Sequence, residues 1–455
     1  MTGRPEARGD LALPSFWQAT RVWARIGLLS FGGPAGQIAL MHRVLVEETG
    51  WIGERRFLHA LNYCMLLPGP EAQQLATYMG WLMHRTAGGL VAGGLFVLPG
   101  ALVMLALSAG YALYGATPIA ASLFLGVKCA VLAIVAQALI RVGSRALKTR
   151  AALWLAVAAF VALYALDIPF PLVIAAAALL GWRAPHLVGQ AGHGGEADTD
   201  QRGLVDRVIA TGGARHLKPS RGRSLRILAV WLVLWLAPFA ALLAALGPGS
   251  IWTQLAGFFS TMGVVTFGGA YAVLAYVAQA AVEAFGWLAP GEMADGLGLA
   301  ETTPGPLILV LQFVGFLAAY REAGPLDPLV AGALGALLTT WVTFAPCFLW
   351  IFLGAPYVEA LRGHQAASGA LAAITAAVVG VIANLALWFA LHVLFLEVRE
   401  VSVLGIGPEI PVLASLDWRA ALLATGALVA MLRFKVGLIP TLAACAAGGL
   451  LLGQL

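Results

Sequence analysis

Twice in this chain a proline-glycine-proline triplet interrupts an apolar run long enough to cross a bilayer. Leu67-Pro68-Gly69-Pro70 falls midway through the run from Phe57 to Met83, and Thr303-Pro304-Gly305-Pro306 lies inside the run from Met293 to Ala319. Proline removes a backbone donor and clashes with a continuing helix, and glycine adds freedom, so each triplet predicts a broken helix. In hydrocarbon the freed amides and carbonyls find no water, which makes such a break costly unless protein or a wet cavity adjoins it. Two interrupted segments at matching positions in two halves are the sequence mark of a binding site in a secondary transporter.

Composition sets the surroundings of these breaks. Of 455 residues, 60% are hydrophobic and only 11% charged, against about 25% charged in soluble domains. Several apolar runs exceed the ~20 residues needed to span a bilayer, so the fold class is an all-α polytopic membrane protein. The net charge of +5 comes from basic residues in short segments between the runs. They read as orientation signals, with the lipid bilayer and not nucleic acid as partner. Met1–Pro14 is polar and has no small-residue cleavage site ahead of the first apolar run, so no removable signal peptide is expected. Cys64, Cys129, Cys347 and Cys445 stand singly in apolar segments, which points to neither disulfides nor a metal site. Walker, His-Glu-x-x-His and Gly-x-Ser-x-Gly motifs are missing, so neither an enzyme nor a cofactor is expected.

The two halves are related. Phe31-Gly32-Gly33 matches Phe267-Gly268-Gly269 at an offset of 236, and the same offset pairs Gly50-Trp51 with Gly286-Trp287 and the two Pro-Gly-Pro triplets with each other. Twelve of the forty positions 31–70 are identical to their counterparts without a gap. Beyond a polar insert at Arg321–Pro328 the offset becomes 247, pairing Pro99 with Pro346 and Gln137 with Asn384. The expected organisation is a first repeat over 1–182, a basic linker over 183–226, a linking transmembrane helix over 227–246 and a second repeat over 247–455. The linker, rich in arginine and glycine, reads as flexible and cytoplasmic. The loop Arg141–Arg150 is basic, whereas its counterpart Glu397–Asp417 is acidic. Equivalent loops on opposite sides of the membrane make the repeats inverted, and the linking helix supplies the odd crossing. The short runs 151–166 and 170–182 are expected to form a tilted or partial pair.

A helix restarting behind Pro-Gly-Pro directs free amides and its positive dipole end toward the membrane interior, a ready anion site. Gly69 and Gly305, with the pairs Gly32, Gly33 and Gly268, Gly269, would let backbone approach a ligand; close helix packing is the competing use of such glycines. Lys128 lies near the centre of the run Pro118–Ile140, where an unpaired ammonium costs at least ~3 kcal/mol. It is read either as a counter-charge for an anionic substrate or as one side of a structural pair with a buried carboxylate such as Glu71 or Glu301. Arg25, two turns before the first glycine pair, is a second candidate cation. Glu71 and Glu301 flank the two breaks as helix caps or as proton-coupling carboxylates. Thr302, Thr303 and Gln73 are neutral hydrogen-bonding candidates, which in a membrane also serve as interhelical glue.

Longer strings carry a resemblance. Ser30-Phe31-Gly32-Gly33-Pro34-Ala35-Gly36-Gln37 and Leu66-Leu67-Pro68-Gly69-Pro70-Glu71-Ala72 in the first half, with Thr266-Phe267-Gly268-Gly269-Ala270-Tyr271 and Glu301-Thr302-Thr303-Pro304-Gly305-Pro306-Leu307 in the second, resemble the bacterial chromate transporter family in its long, two-domain form. The likeness covers nearly the whole chain. It implies a multi-pass inner-membrane exporter of chromate that confers chromate resistance, with sulfate as the look-alike anion and a homodimer left open. The family's Gly-x-Lys segment reads Gly126-Val127-Lys128-Cys129 here, with the lysine in place. The reading kept beside export of chromate is a transporter of sulfate or another anion, or an anion channel.

Overall fold

The computed structural model describes residues 13–453 apart from 32, 66, 167, 189–202, 211–218, 268–269, 290, 358–364 and 401–408. The first repeat contains α1 (Phe16–Leu29), α2 (Gly33–His42), α3 (Glu54–Cys64), α4 (Glu71–Tyr114), α5 (Pro118–Ala146), α6 (Arg150–Tyr164) and α7 (Phe170–Arg183). Two short helices, α8 (Pro185–Val188) and α9 (Leu204–Ala210), precede the long α10 (Arg221–Leu246). The second repeat contains α11 (Ile251–Val265), α12 (Ala270–Gln279), α13 (Glu292–Thr302), α14 (Val310–Arg321), α15 (Pro328–Gly354), α16 (Gln365–Leu394), α17 (Trp418–Leu432) and α18 (Leu438–Leu452). A small antiparallel hairpin, β1 (Val398–Glu400) with β2 (Glu409–Pro411), sits between α16 and α17 in a register that pairs Arg399 with Ile410.

Five helices among the described residues are long and apolar enough to cross a membrane: Glu71–Tyr114, Pro118–Ala146, Arg221–Leu246, Pro328–Tyr357 and Gly369–Leu394. Their starts are encoded locally. Thr117 accepts from the Ala120 amide ahead of Pro118, and Asp327 accepts from the Leu329 and Val330 amides ahead of Pro328. Each hydroxyl or carboxylate satisfies an amide that the first turn leaves free, while proline at the first position needs no such partner. Leu225, Val233, Leu98, Leu102, Ile119 and Leu337 are exposed on the outside of the bundle. An apolar outer surface of this extent suits lipid rather than water.

The repeats correspond element by element. α1, α2 and α3 are matched by α11, α12 and α13, and α2 and α12 both run into a π-helical turn, Arg43–Glu48 and Ala280–Ala284. The chain leaves helix between Cys64 and Glu71, and again between Thr302 and Leu307. At the far end of the first restarted helix, His84 (φ −133°, ψ 29°) and Arg85 (φ 56°, ψ −149°) leave helical geometry. The segment 71–83 therefore doubles back on the remainder of α4, and the Gly80 and Gly88 backbones meet where a Cβ on either would clash. In the second repeat α14 folds back on α15 in the same way, with Gly315 against Gly335 and Thr339.

The short helix pairs are exchanged between repeats. α6 and α7 pack on α16 of the second repeat, while α17 and α18 pack on α5 of the first. Gly126 lies directly on the Cys445 backbone and Gly380 on that of Ala156. Small residues let the backbones approach where lipid provides no hydrophobic drive for helix association. This exchange places the centre of α5, with Lys128, between both repeats.

Candidate functional site

The two breaks cross each other. The Gly69 amide donates to the Thr266 carbonyl at 2.7 Å, and the Gly305 amide donates to the Ser30 carbonyl at 2.8 Å. Gly69 matches Gly305, and Ser30 matches Thr266, at the offset of 236, so this is one contact made twice by a pseudo-twofold relation. Each glycine has a positive φ, +114° at Gly69 and +91° at Gly305, a conformation that L side chains rarely adopt. Each accepting carbonyl lies just past the end of α11 or α1. The Ser30 hydroxyl donates back to Ile26 O at 2.6 Å, and that of Thr266 to Met262 O.

Buried glutamines finish the crossing. Gln37 donates through Nε2 to Gly305 O at 2.6 Å, and Gln74 donates to Pro68 O at 2.7 Å. These bonds occupy carbonyls that the prolines leave without helical partners, which is how a break is tolerated away from water. The two glycine amides are thus spent on joining the repeats. The amides at the restart of α4, behind Pro70, have no side-chain cap. Gln37→Ala removes the donor to Gly305 O, and the expected loss is about 1–3 kcal/mol, the cost of an unsatisfied buried acceptor. A lower melting temperature of the purified protein in detergent is the measurement.

The charged centre lies in the first turn of α13, about 10 Å along that helix from the break that follows Thr302. Lys128 on α5 reaches Asp295 on α13, with Nζ 3.3 Å from Oδ2. Tyr111 on α4 donates its hydroxyl to the same oxygen at 2.8 Å. The Asp295 side chain is 4% exposed and that of Lys128 26%, so the carboxylate is enclosed while the ammonium keeps an open side. Asp295 Oδ1 is buried and has no hydrogen-bond partner among the described residues. Gly291, at φ +89°, passes so close that a Cβ would lie 3.2 Å from the Lys128 ammonium nitrogen.

The partner of Lys128 is therefore neither Glu71 nor Glu301. Glu71 is half-buried in the first turn of α4. Glu301 is buried and accepts from the Tyr271 hydroxyl at 2.6 Å; it lies six residues beyond Asp295, about 9 Å further along α13. Thr302 and Thr303 turn their hydroxyls back to Leu299 O and Ala300 O, at 2.7 and 2.8 Å. Gln73 is buried and donates to the Thr77 hydroxyl at 3.0 Å, leaving its Oε1 without a partner among the described residues. Arg25 faces outward, with its side chain 56% exposed, and pairs with Glu48 at 3.3 Å. Gly33 opens α2 with φ +69°, and Gly32, Gly268 and Gly269 lie outside the described residues. Asp295 escapes the sequence reading, although an acid in an apolar run gives the same signal that singles out Lys128.

Two helical repeats, joined through reciprocal broken segments and bridged by an ion pair at the interface, have the plan that many polytopic membrane transporters share. Sequence comparison specifies the class: the chain belongs to the chromate transporter family, whose profile matches residues 17–182 and 253–450. It is 32% identical over 380 residues to a chromate transport protein of Pseudomonas aeruginosa, covering 81% of this chain and 79% of the relative. A probable chromate transport protein of Synechococcus elongatus is 29% identical over 371 residues, covering 81% and 83% respectively. The chromate transport protein of Cupriavidus metallidurans is 27% identical over 368 residues and covers 80% of each. No solved structure gives a significant match.

Proposed function

We propose that this chain exports chromate from the cytoplasm across the inner membrane by alternating access of two inverted repeats, 1–182 and 247–455, and so confers chromate resistance. The observation that carries this reading is an ammonium on the apolar helix α5 held by a carboxylate of the other repeat, Lys128 against Asp295. In the resting state Asp295 stands in for the substrate's charge. An incoming oxyanion takes the open side of Lys128 and displaces that carboxylate, and so changes the bond between repeats that the two states must exchange.

The dipole of the restarted helix at Glu71 and the donors around it complement the dianion. Gln73 and Thr303 serve as neutral contacts, and Glu71 and Glu301 are the carboxylates available for proton coupling. Export fits the energetics. An outgoing dianion gains ~2.3 kcal/mol per charge per 100 mV against an inside-negative potential. For two charges that is about 4.6 kcal/mol, enough for a gradient above a thousandfold at ~1.4 kcal/mol per decade. No nucleotide hydrolysis is required.

Inverted membrane vesicles test the proposal, with potential and pH gradient set separately and sulfate added as competitor. Saturable chromate uptake driven by an interior-positive potential is the expected result. Non-saturating flux would mark a channel, and sulfate flux that exceeds chromate flux would reassign the substrate.

A further inference from the structure

The segment between the repeats does more than connect them. Its helix α9 docks on the turn Gly50–Arg56 of the first repeat. The Leu204 amide donates to Gly50 O at 3.0 Å and the Val205 amide to Trp51 O at 2.9 Å. Asp206 accepts from the Gly53 amide at 3.0 Å and forms an ion pair with Arg56. Val205 is buried at 1% exposure beneath this contact.

The second repeat builds the same cap from its own residues. There the carbonyl of Trp287, which matches Trp51, accepts from Arg321 at 2.6 Å. The amide of Ala289, which matches Gly53, donates to Glu292 at 2.7 Å. Glu292 in turn pairs with Arg321 at 2.7 Å. Position 56 is the equivalent of position 292, and there the first repeat carries arginine where the second carries glutamate. The first repeat therefore lacks the carboxylate that this turn requires, and Asp206 supplies it from outside.

We infer that the turn Gly50–Arg56 is an interaction surface whose partner is the linker segment 203–210, and that this docking is a working part of the first repeat. The turn leads directly into α3, which ends at the first break, just as the turn capped by Arg321 leads into α13, which carries Asp295 and Glu301. The linker thus fixes the entry of α3 in the way that Arg321 fixes the entry of α13. A segment held by three amide hydrogen bonds and one ion pair is also releasable, so the linker can free or lock one repeat while the other stays capped.

The test uses the full chain in proteoliposomes with Asp206→Asn, Arg56→Gln, the double variant, Glu292→Gln and, as control, Arg207→Gln. Two readouts are taken: amide hydrogen exchange over 203–210 and 50–56, and chromate flux. Exchange at the Val205 amide is expected to rise about tenfold or more in Asp206→Asn and Arg56→Gln, since each removes a charge-assisted contact. Flux is expected to fall several-fold in each, no further in the double variant, and to a similar extent in Glu292→Gln, with Arg207→Gln unchanged. Unaltered exchange in Asp206→Asn would overturn the docking role, and altered exchange with wild-type flux would overturn its part in transport. The exchange result does not depend on which anion is carried, so failure of the chromate assignment alone would leave the docking intact.

Discussion

Lys128→Ala is expected to reduce chromate flux to background while the protein remains in the membrane. Two separate effects contribute. The substrate loses the ammonium that α5 offers it, and Asp295 is left enclosed without a counter-charge. Breaking a fully buried pair from one side costs about 3–5 kcal/mol; with the Lys128 side chain 26% exposed, about 2–3 kcal/mol is the expectation here. The two effects separate in the double variant Lys128→Ala/Asp295→Asn, which removes the stranded charge. Its thermal stability is expected to recover toward wild type while its flux stays at background. Flux that recovers together with stability would show Lys128 to be structural.

Gly69→Ala and Gly305→Ala are expected to destabilise the protein equally in direction and to depress transport. Each glycine holds a positive φ, and alanine at such a position costs more than about 1 kcal/mol from backbone strain. The new methyl at position 69 would also lie 2.8 Å from the Cys347 sulfur and 2.9 Å from Gln74 Nε2. At position 305 it would lie 3.2 Å from the Phe96 carbonyl oxygen. Both amides carry the reciprocal bonds between repeats, so strain at one break loosens the crossing as a whole. Gly94→Ala is the control. A Cβ there meets nothing within 4 Å, and alanine favours the helix by about 0.8–1.0 kcal/mol over glycine. Thermal melts in detergent together with flux measure all three; wild-type stability in either break variant would remove the crossing as a stabilising element.

Much of this arrangement was legible along the chain. Proline and glycine act locally, so the breaks at Pro68-Gly69-Pro70 and Pro304-Gly305-Pro306 could be read without knowing what surrounds them. The offset of 236 then made them one feature seen twice. Lys128 stood out because a charge in an apolar run is costly wherever its partner lies. That partner was not legible. Asp295 is 184 residues from Tyr111, whose hydroxyl it accepts, and no local rule selects Asp295 over Glu71 or Glu301. Arg25 illustrates the same limit: its spacing from the glycine pair suggested reach toward the site, while its surroundings turn it outward to Glu48.

The linker marks the boundary in another way. Its composition predicts a flexible connection, and the identities of its residues do not reveal that Asp206 answers a missing carboxylate at position 56. Alignment of the repeats shows the vacancy; only packing shows what fills it. The sequence by itself determined that the protein lives in lipid, that it is built of two related helical halves, and that each half is broken at a Pro-Gly-Pro triplet. The tertiary structure alone decided that the breaks bind each other, that the short helix pairs are exchanged, and that Lys128 faces Asp295. The reason is physical: helix breaking and charge burial are properties of a few adjacent residues, whereas hydrogen-bond and ion-pair partners are chosen among groups that only the folded chain brings within reach.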